Sequence, residues 1–254
     1  MKSRIRLLSK VSLVFLLFFG GTILAFPVFP LLDISCSAER ARSVRDHIKM
    51  IWLRYFAMIL GLKVNQQGTV PLRTGLVVSN HVSWLDIVVI GQYLPAYFVA
   101  KSDILGWLVI GYMAKQAGTI FIRRGDKKNI LITAEKMLNL LVRQANIIAF
   151  PEGTTTAGDD VLGFHASLFQ PAIQAKAIIQ PVAIRYHGKS QSLAPFIGDD
   201  AFVPHLLKML RQDTIDVELV FLDTIDPAEK SRNAVCDESR GMILQAVQSW
   251  SEAA

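Results

Sequence analysis

From about Val64 onward, short apolar runs alternate with amphipathic stretches, and this alternation restricts the possible folds more than any other feature of the sequence. Six runs, at residues 75–78, 96–100, 119–122, 146–150, 178–186 and 215–222, are predicted to be strands. Helices are predicted between them at 83–92, 103–116, 127–144 and 166–176, and at the C-terminus over 237–251. The pattern is typical of an α/β domain with a central mixed sheet flanked by helices, here over residues 63–254.

The first 62 residues differ from this pattern. The first ten contain four basic side chains and no acidic one, and residues 11–32 contain no charged residue. At about 1.5 Å per residue, one helix over 11–32 would cross a hydrocarbon core ~30 Å thick. Gly20-Gly21 interrupts the stretch, however, and Pro27 and Pro30 should break the helix near its end. Residues 11–26 alone would extend roughly 24 Å, which is short for a crossing.

A cleaved signal peptide is the alternative for this segment, because a basic start and an apolar core are both present. A small-x-small cleavage site is poorly defined, and Ile34-Ser35-Cys36 is a weak lipoprotein-type site because Asp33 intrudes. The sequence therefore favours retention of the segment in the mature protein.

A second N-terminal segment, residues 48–62, follows a charged interval at 39–49 that is either a polar connection or a helix start. Its aromatic and aliphatic residues recur at helical spacing, as in helices that lie in a membrane interface. A helix packed in the protein core is the alternative. Together the two segments predict membrane-anchoring helices over residues 1–62, arranged as a hairpin dipped into one leaflet. A single crossing with the basic end inside would instead place the rest of the chain outside.

Composition limits the kinds of partner. Of the 254 residues, 52% are hydrophobic and 19% are charged, and the net charge is +6. This is an apolar composition for a soluble protein, and a basic excess fits an anionic membrane surface or an anionic substrate. Nucleic acid fits less well, because the basic residues are not interleaved with aromatic ones. Cys36 and Cys236 are too few and too scattered for a disulfide framework or a zinc site, which favours a reducing compartment.

The stretch Ser79-Asn80-His81-Val82-Ser83-Trp84-Leu85-Asp86 is the strongest candidate for chemistry. It follows a predicted buried strand, so His81 would lie at the carboxyl end of that strand, where open α/β sheets bind ligands. His81 and Asp86 can meet if His81 lies in the turn before a helix, with Ser83 as a possible N-cap, and Asp86 lies in its first turns. A carboxylate that accepts from one ring nitrogen leaves the other as a general base near neutral pH. Such a pair on its own is more often a hydrogen-bonded turn without chemistry.

Two arginines follow the predicted strand at 119–122. At the carboxyl end of a strand, the guanidinium groups of Arg123 and Arg124 can fork onto phosphate oxygens. Two solvated charges in a loop are the alternative.

Another strand ends in Phe150-Pro151-Glu152-Gly153-Thr154-Thr155-Thr156. Gly153 would let the backbone approach a ligand closely, and the threonine hydroxyls and N–H groups could cradle an anion. A plain turn is the alternative here. The proline-opened strand at 180–186 is explained at least as well by a structural role.

Several motifs are absent from the sequence: Gly-x-Ser-x-Gly, His-Glu-x-x-His, Gly-x-x-x-x-Gly-Lys and Gly-x-Gly-x-x-Gly. The remaining histidines are isolated and show no metal-ligand spacing: His47, His165, His187 and His205. We therefore expect no metal site, and direct base catalysis by His81 is a better candidate than a covalent mechanism.

Taken in order, four blocks resemble the glycerolipid acyltransferase family, which includes bacterial 1-acyl-sn-glycerol-3-phosphate acyltransferases. They lie at residues 80–86, with the His-x4-Asp pair, and at 121–124, 150–154 and 180–182. The match covers roughly residues 75–190, and four ordered blocks make it specific. The run at 164–169 looks like a subgroup that also contains lyso-ornithine lipid acyltransferases.

The resemblance implies a role for each matching residue. The catalytic pair would be His81, as base, and Asp86, as its orienting partner. The acceptor site would be formed by Lys101, Arg123, Arg124, Glu152, Gly153 and Thr154. Among them, Arg124 would bind the acceptor's phosphate, with Lys101 close to it. The sequence departs from the family at Arg123, where an acidic residue is frequent, and at residues 163–165, where Pro-Phe followed by Lys or Arg is common.

The implied reaction transfers an acyl group from acyl-CoA or acyl carrier protein to the free hydroxyl of 1-acyl-sn-glycerol-3-phosphate, giving phosphatidate. The same chemistry on lyso-ornithine lipid is a close alternative, and a non-catalytic, membrane-anchored lipid-binding protein is an alternative of another class. The acyl donor is a co-substrate, so no resident cofactor is expected, and the expected partners are membrane lipids rather than nucleic acid. Because these donors are cytoplasmic in bacteria, the domain should face the cytoplasm from the inner membrane, which favours the leaflet hairpin.

Overall fold

The computed structural model describes residues 2–70, 75–123 and 125–252. The strands in that part of the chain are β1 (Leu62–Gln67), β2 (Gly75–Ser79), β3 (Tyr97–Lys101), β4 (Ile120–Ile122), β5 (Ile147–Ala149), β6 (Ile178–Tyr186) and β7 (Ile215–Phe221). They form one sheet in the order β1-β7-β6-β2-β5-β3-β4. Neighbouring strands are parallel except β6 and β7, which are antiparallel, so the predicted mixed α/β sheet is confirmed.

Helices cover both faces of the sheet. They are α1 (Lys2–Ile23), α2 (Phe29–Ser35), α3 (Ala38–Leu60), α4 (Leu85–Gly91), α5 (Leu108–Gln116), α6 (Lys127–Val142), α7 (Gln170–Gln174), α8 (Lys189–Leu193), α9 (Phe202–Leu210) and α10 (Arg232–Glu252). Short 3₁₀ turns cover Ser102–Gly106 and Ala166–Leu168.

The side chains of β2 show how the two layers arise. All five residues of this strand are buried, as expected for a parallel strand covered on both faces. Val77 packs into the cluster that includes α3, α4 and α9, which we call the hairpin face. Leu76 and Val78 point the other way, into the cluster formed with α6, α7 and α10, which we call the α10 face. The sheet therefore separates two apolar layers.

All six predicted strands occur, but β1 was not predicted. The predicted helix at 48–62 ends two residues early, at Leu60, because Gly61 adopts the left-handed conformation with φ of 82°. A Cβ on Gly61 would come within 2.7 Å of the Asp213 carbonyl oxygen, so only glycine fits there without a shift. The chain can then enter β1 at once, alongside β7.

The charged interval before that helix is part of it. Helix α3 begins at Ala38, and the Ser37 side chain caps it by accepting a hydrogen bond from the Arg40 N–H. The alternative of a separate polar connection at 39–49 is therefore wrong, and the helix start is confirmed.

The predicted break at Pro27 and Pro30 is also wrong. Pro27 lies inside a π-helical segment, Leu24–Val28, which joins α1 to α2. The Phe29 N–H donates to the Leu24 carbonyl oxygen, five residues back, so the chain stays helical past a residue that has no N–H donor. Pro30 lies in the first turn of α2, where the helix needs no N–H donor from it. The N-terminal helical segment therefore continues to Ser35.

This segment and α3 form an antiparallel hairpin. Near its open end the Lys10 ammonium donates to the Leu60 carbonyl oxygen, and in the middle the Trp52 indole N–H donates to the Leu17 carbonyl oxygen. Near the turn, the Arg45 guanidinium donates to the Phe29 carbonyl oxygen. These pairings run in opposite directions along the two helices.

Both ends of the hairpin are also bound to the α/β domain. At the open end, Arg6 pairs with Asp213 and Lys10 donates to the Gln212 carbonyl oxygen. Near the turn, Arg42 donates to the Arg143 carbonyl oxygen at 2.9 Å. The hairpin therefore lies along the domain instead of projecting from it.

The outer surface of the hairpin is apolar. The segment Arg4–Ser35 is long and apolar enough to cross a membrane by length and composition, yet only 17% of its most apolar window is buried in the protein. Large exposed side chains recur at helical spacing on α1 and continue on α3: Leu8, Phe15, Phe19, Ile23, Ile51, Tyr55 and Met58. One continuous apolar surface therefore faces away from the domain.

Candidate active site

The loop after β2 is fixed to the centre of the sheet by Asn80. Its side-chain amide donates to the Ile184 carbonyl oxygen, and its amide oxygen accepts from the Ile184 N–H, both at 2.9 Å. Asn80 is fully buried. Its two side-chain hydrogen bonds to Ile184 extend the pairing of β2 with β6 by one residue. The next residue, His81, therefore leaves the sheet at a defined point on the carboxyl edge.

The predicted contact between His81 and Asp86 is present. Helix α4 begins at Leu85, so Asp86 lies in its first turn and His81 in the preceding loop. The distance from His81 Nδ1 to Asp86 Oδ2 is 2.8 Å. An ionised Asp86 can only accept, so Nδ1 carries the ring proton and Nε2 is the basic nitrogen. Among the described residues, Nε2 has no hydrogen-bond partner.

Asp86 also organises the loop itself. Its Oδ2 accepts hydrogen bonds from the Val82 and Ser83 N–H groups at 2.7 and 2.9 Å. Its Oδ1 accepts from the Tyr186 hydroxyl at 2.7 Å. The suggested capping role of Ser83 is wrong, because its buried hydroxyl has no partner among the described residues. The Asp86 carboxylate accepts the hydrogen bonds from the loop N–H groups instead.

Glu152 supports His81 from the opposite side. Oε1 of this buried carboxylate accepts from the His81 N–H at 2.7 Å, and Oε2 accepts from the Leu162 N–H at 2.8 Å. Burial raises the pKa of Glu152, and the two N–H donors oppose that rise by stabilising the charged form. Both oxygens thus contact the main chain, and Glu152 joins the loop after β5 to the loop after β2.

An aromatic contact completes the support of His81. The imidazole stacks on the Phe150 ring, with 4.0 Å between ring centroids and 15° between planes. The His81 carbonyl oxygen accepts from the Thr156 N–H at 2.9 Å. Ring and backbone are thereby held from several directions while Nε2 stays accessible.

A cavity of about 720 Å³ opens beside His81. At the carboxyl edge its wall includes Gly153 and Thr154, and towards the amino edge it includes Ala96 and Thr119. The distance between these edges along the five-residue strand β3 is about 16 Å. Most of the lining is apolar, and the hairpin, α4 and α5 contribute part of it, including Phe18, Trp52, Ile87, Ile110 and Met113.

Lys49 lines the cavity near the amino edge. Its ammonium donates to the Ala96 and Ala117 carbonyl oxygens at 3.3 and 3.1 Å, and it lies 4.2 Å from the centre of the Tyr97 ring. Burial lowers the pKa of Lys49, and the adjacent Asp46 carboxylate opposes that shift. No sequence pattern predicts this position for Lys49, because a lysine within an amphipathic helix usually reaches solvent.

The predicted cationic residue Lys101 lies at the carboxyl end of the cavity, which we call its mouth. Lys101, at the end of β3, is exposed and forms part of the wall. Arg123 is exposed, and its backbone N–H donates to Asn129 Oδ1 at 2.7 Å. Arg124 lies outside the described residues. Ile122 and Gly125 also line the cavity.

Asp103 also lies at this mouth, two residues after Lys101, and is exposed. Charges of both signs therefore occur there. No group of three or more His, Cys, Asp or Glu side chains arranged to hold a metal ion occurs within 2–70, 75–123 and 125–252.

Comparison with known proteins identifies the family. A family model described as Acyltransferase matches residues 61–185. The chain is 38% identical over 198 residues to a lyso-ornithine lipid O-acyltransferase of Pseudomonas aeruginosa, covering 75% of this chain and 76% of that protein. The chain belongs to the lysolipid acyltransferases.

One further relative and one solved structure are also similar to this lysolipid acyltransferase. It is 32% identical to a 1-acyl-sn-glycerol-3-phosphate acyltransferase of Neisseria meningitidis, over 85% of each chain. The crystal structure of PlsC from Thermotoga maritima, a 1-acyl-sn-glycerophosphate acyltransferase, matches with a TM-score of 0.69 over 97% of this chain and 98% of that one. At 18% identity, that likeness concerns the fold. The resemblance recognised in the sequence is confirmed.

Proposed function

We propose that this lysolipid acyltransferase transfers an acyl group from acyl-CoA or acyl carrier protein to the free hydroxyl of 1-acyl-sn-glycerol-3-phosphate, giving phosphatidate. The main support is the hydrogen bonding of His81: Asp86 accepts from Nδ1, and Nε2 has no hydrogen-bond partner among the described residues and lies beside an apolar cavity. A hydroxyl bound there would meet a correctly oriented base.

In the proposed reaction, the acceptor hydroxyl attacks the thioester carbonyl carbon while His81 Nε2 takes its proton. Asp86 stabilises the resulting imidazolium and keeps Nε2 aimed at the reacting atoms. When the tetrahedral intermediate collapses, the carbon–sulfur bond breaks and the imidazolium returns the proton to the sulfur. General-base catalysis of this kind contributes about 10²–10⁴-fold, and the remaining acceleration depends on holding both substrates in place.

The apolar part of the cavity and its charged mouth suit, respectively, the hydrocarbon chain and the headgroup of a lipid substrate. Its apolar wall accommodates a hydrocarbon chain, and the exposed Lys101 at the mouth suits an anionic headgroup. We place the acceptor phosphate against Lys101, Arg123 and Arg124. Glu152 contributes by fixing the backbone, since both of its oxygens already accept from N–H groups.

Lyso-ornithine lipid is the second candidate acceptor. The Pseudomonas aeruginosa relative with this activity in its name is 38% identical to the chain, compared with 32% for the Neisseria meningitidis protein. An ornithine headgroup carries a carboxylate and an ammonium, and the mouth presents both Lys101 and Asp103. The cation would bind the carboxylate and the aspartate would bind the ammonium.

A direct comparison of acceptors tests this proposal. Purified enzyme in lipid vesicles receives a labelled acyl donor with either lysophosphatidate or lyso-ornithine lipid. We expect labelled phosphatidate, and Lys101→Met should raise KM for lysophosphatidate while Asp103→Asn leaves it unchanged. If only lyso-ornithine lipid is acylated, and Asp103→Asn impairs that reaction, the acceptor assignment changes. If neither acceptor is labelled, the proposed reaction is wrong.

We also propose that the hairpin lies in the cytoplasmic leaflet of the inner membrane, with the domain in the cytoplasm. Contacts at both ends, Arg6 with Asp213 and Arg42 with the Arg143 carbonyl, support a helix pair lying along the domain rather than one crossing the bilayer. The exposed apolar residues on its outer surface would then contact acyl chains.

Cysteine labelling in spheroplasts tests this topology. In a Cys36→Ser and Cys236→Ser background, the exposed position Ala228 is changed to cysteine. A membrane-impermeant maleimide should label it only after lysis. Labelling in intact spheroplasts would mean that the domain lies outside the cytoplasm.

A further inference from the structure

Tyr186 contacts the Asp86 carboxylate from a distant part of the chain. It is the last residue of β6, it is 3% exposed, and its hydroxyl donates to Asp86 Oδ1 at 2.7 Å. Oδ2 of the same carboxylate already accepts from His81 Nδ1 and from the Val82 and Ser83 N–H groups. Among the described residues, the Tyr186 hydroxyl is the only hydrogen-bond partner of Oδ1.

The fold fixes the position of this hydroxyl. Strands β2 and β6 are parallel neighbours, so both carboxyl ends reach the loop that carries His81. The Asn80 side chain bonds to both the N–H and the carbonyl oxygen of Ile184, and these two bonds fix the position of β6 relative to the loop. Tyr186, two residues further, points to the same face of the sheet as Ile184 and so reaches Asp86.

We propose that Tyr186 is a positioning residue that sets the orientation and charge distribution of Asp86 and, through it, the basicity of His81. Tyr186 does not line the cavity beside His81 and acts without touching substrate. Without its hydroxyl, Oδ1 would be a buried, unpaired oxygen of an ionised carboxylate, which is unfavourable. This inference rests on the proposed role of His81 as the base.

The hydroxyl can act as a donor over the whole working pH range. Burial and the neighbouring Asp86 charge raise the pKa of Tyr186 well above its ordinary value. The other titratable groups around the pair include Glu152, which accepts from the His81 N–H, and His165, which lines the same cavity. Asp159 lines a small pocket together with Tyr186. Arg185, the preceding residue of β6, lines that small pocket as well. These groups remain unchanged when only the hydroxyl is removed.

Tyr186→Phe tests the proposal, with Tyr93→Phe as the matched control. Tyr93 is half-buried, lies on the same face of the sheet, and its hydroxyl has no hydrogen bond to the described residues. We expect Tyr186→Phe to lower kcat about 10- to 100-fold with KM for both substrates unchanged. The negative charge of Asp86 would be less dispersed and would hold a protonated His81 more tightly, so the acid limb of the kcat–pH profile should move to higher pH.

A double-mutant comparison separates this role from simple stabilisation. If Tyr186 acts through Asp86, adding Tyr186→Phe to Asp86→Asn should lower kcat far less than it does in the wild-type background. An equal loss in both backgrounds, or a Tyr186→Phe profile that matches that of Tyr93→Phe, would overturn the proposal. An active His81→Ala variant would instead overturn the proposed catalytic function.

A second variant applies if Tyr186→Phe does not fold. Incorporation of 3,5-difluorotyrosine at position 186 keeps the shape of the side chain and makes its hydroxyl a stronger donor. The acid limb of the kcat–pH profile should then move to lower pH. An unchanged profile, or a shift to higher pH, would contradict the inference.

Discussion

The two faces of the sheet are packed differently. On the α10 face, Phe169, Ala172 and Met137 are almost completely buried against the strands. On the hairpin face, the residues beneath α4 are buried equally well, but about 720 Å³ stays empty between the hairpin, α4 and α5. Protein interiors are normally packed without voids of this size. The α10 face therefore serves mainly to stabilise the domain, whereas the hairpin face leaves room for a substrate.

The strongest test of this division is His81→Ala. Loss of the base should reduce acyl transfer by about 10²–10⁴-fold while the unfolding midpoint changes little, because His81 lies at the cavity and is not part of the packed core. Initial rates and thermal unfolding of the same preparations provide the measurement. His187→Ala, which removes a partly exposed histidine paired with Glu218, should stay active. Comparable activity of the two variants would show that His81 is not the base.

The next prediction compares the loss of stability when a phenylalanine is removed from each face. Phe169→Ala, on the α10 face, should destabilise the protein by about 3–5 kcal/mol because it leaves a void in a filled layer. Phe98→Ala should cost about 1–2 kcal/mol, since Phe98 is only partly buried and already lines the cavity. Chemical denaturation measures both. Equal losses would mean that the hairpin face is as tightly packed as the other.

Adding volume should lower stability on the α10 face but change substrate preference on the hairpin face. Ala172→Phe inserts a ring into the filled α10 face and should cost about 1–3 kcal/mol. Ala114→Phe directs a ring into the cavity, so stability should change by less than about 1 kcal/mol while the preferred acyl chain becomes shorter. Product analysis with donors of different chain length reads out the second effect. An unchanged chain preference would show that the region near Ala114 does not hold the acyl chain.

The smallest expected effect concerns pH. On the hairpin face, buried His205 accepts a hydrogen bond from the Trp84 indole N–H at 3.0 Å, and burial lowers the pKa of this histidine. The native state therefore binds the proton less tightly than the unfolded chain does. The associated stability is complete above about pH 6.5 and is lost as the pH falls through the lowered native pKa.

His205→Asn isolates this contribution, because asparagine can still accept from Trp84 but does not titrate. Thermal unfolding midpoints of both proteins are measured between pH 8 and pH 5. The wild-type midpoint should fall more steeply towards acid than that of the variant. Parallel curves would show that His205 makes no contribution to the acid sensitivity.

Short-range features of the site could be predicted from the sequence. The five-residue spacing from His81 to Asp86 allows a contact if His81 lies in the turn before a helix and Asp86 in its first turns, and this contact is present. The contact of Asp86 with Tyr186 spans 100 residues and depends on the pairing of β2 with β6, which no local pattern reveals. The contact could not be predicted because the sequence does not show the register between β2 and β6.

The N-terminal segment shows a second limit. The rule that proline ends a helix rests on the hydrogen bond lost in an α-helix, and the π-helical turn at Leu24–Val28 circumvents it. Lys49 shows a third limit, because its burial depends on carbonyl groups at Ala96 and Ala117, which come from loops far along the chain. Periodicity identifies an apolar helix face but not what packs against it.

The open space beside His81 also has a practical consequence for purification. A detergent molecule has an alkyl tail much like that of a lipid, so the micelle that extracts this protein also supplies a competitor for its reaction. We expect detergents with the same headgroup and longer tails to be stronger inhibitors, and reconstitution into nanodiscs to restore the lost rate. Turnover numbers for this protein will therefore depend on the solubilising agent as well as on the substrates.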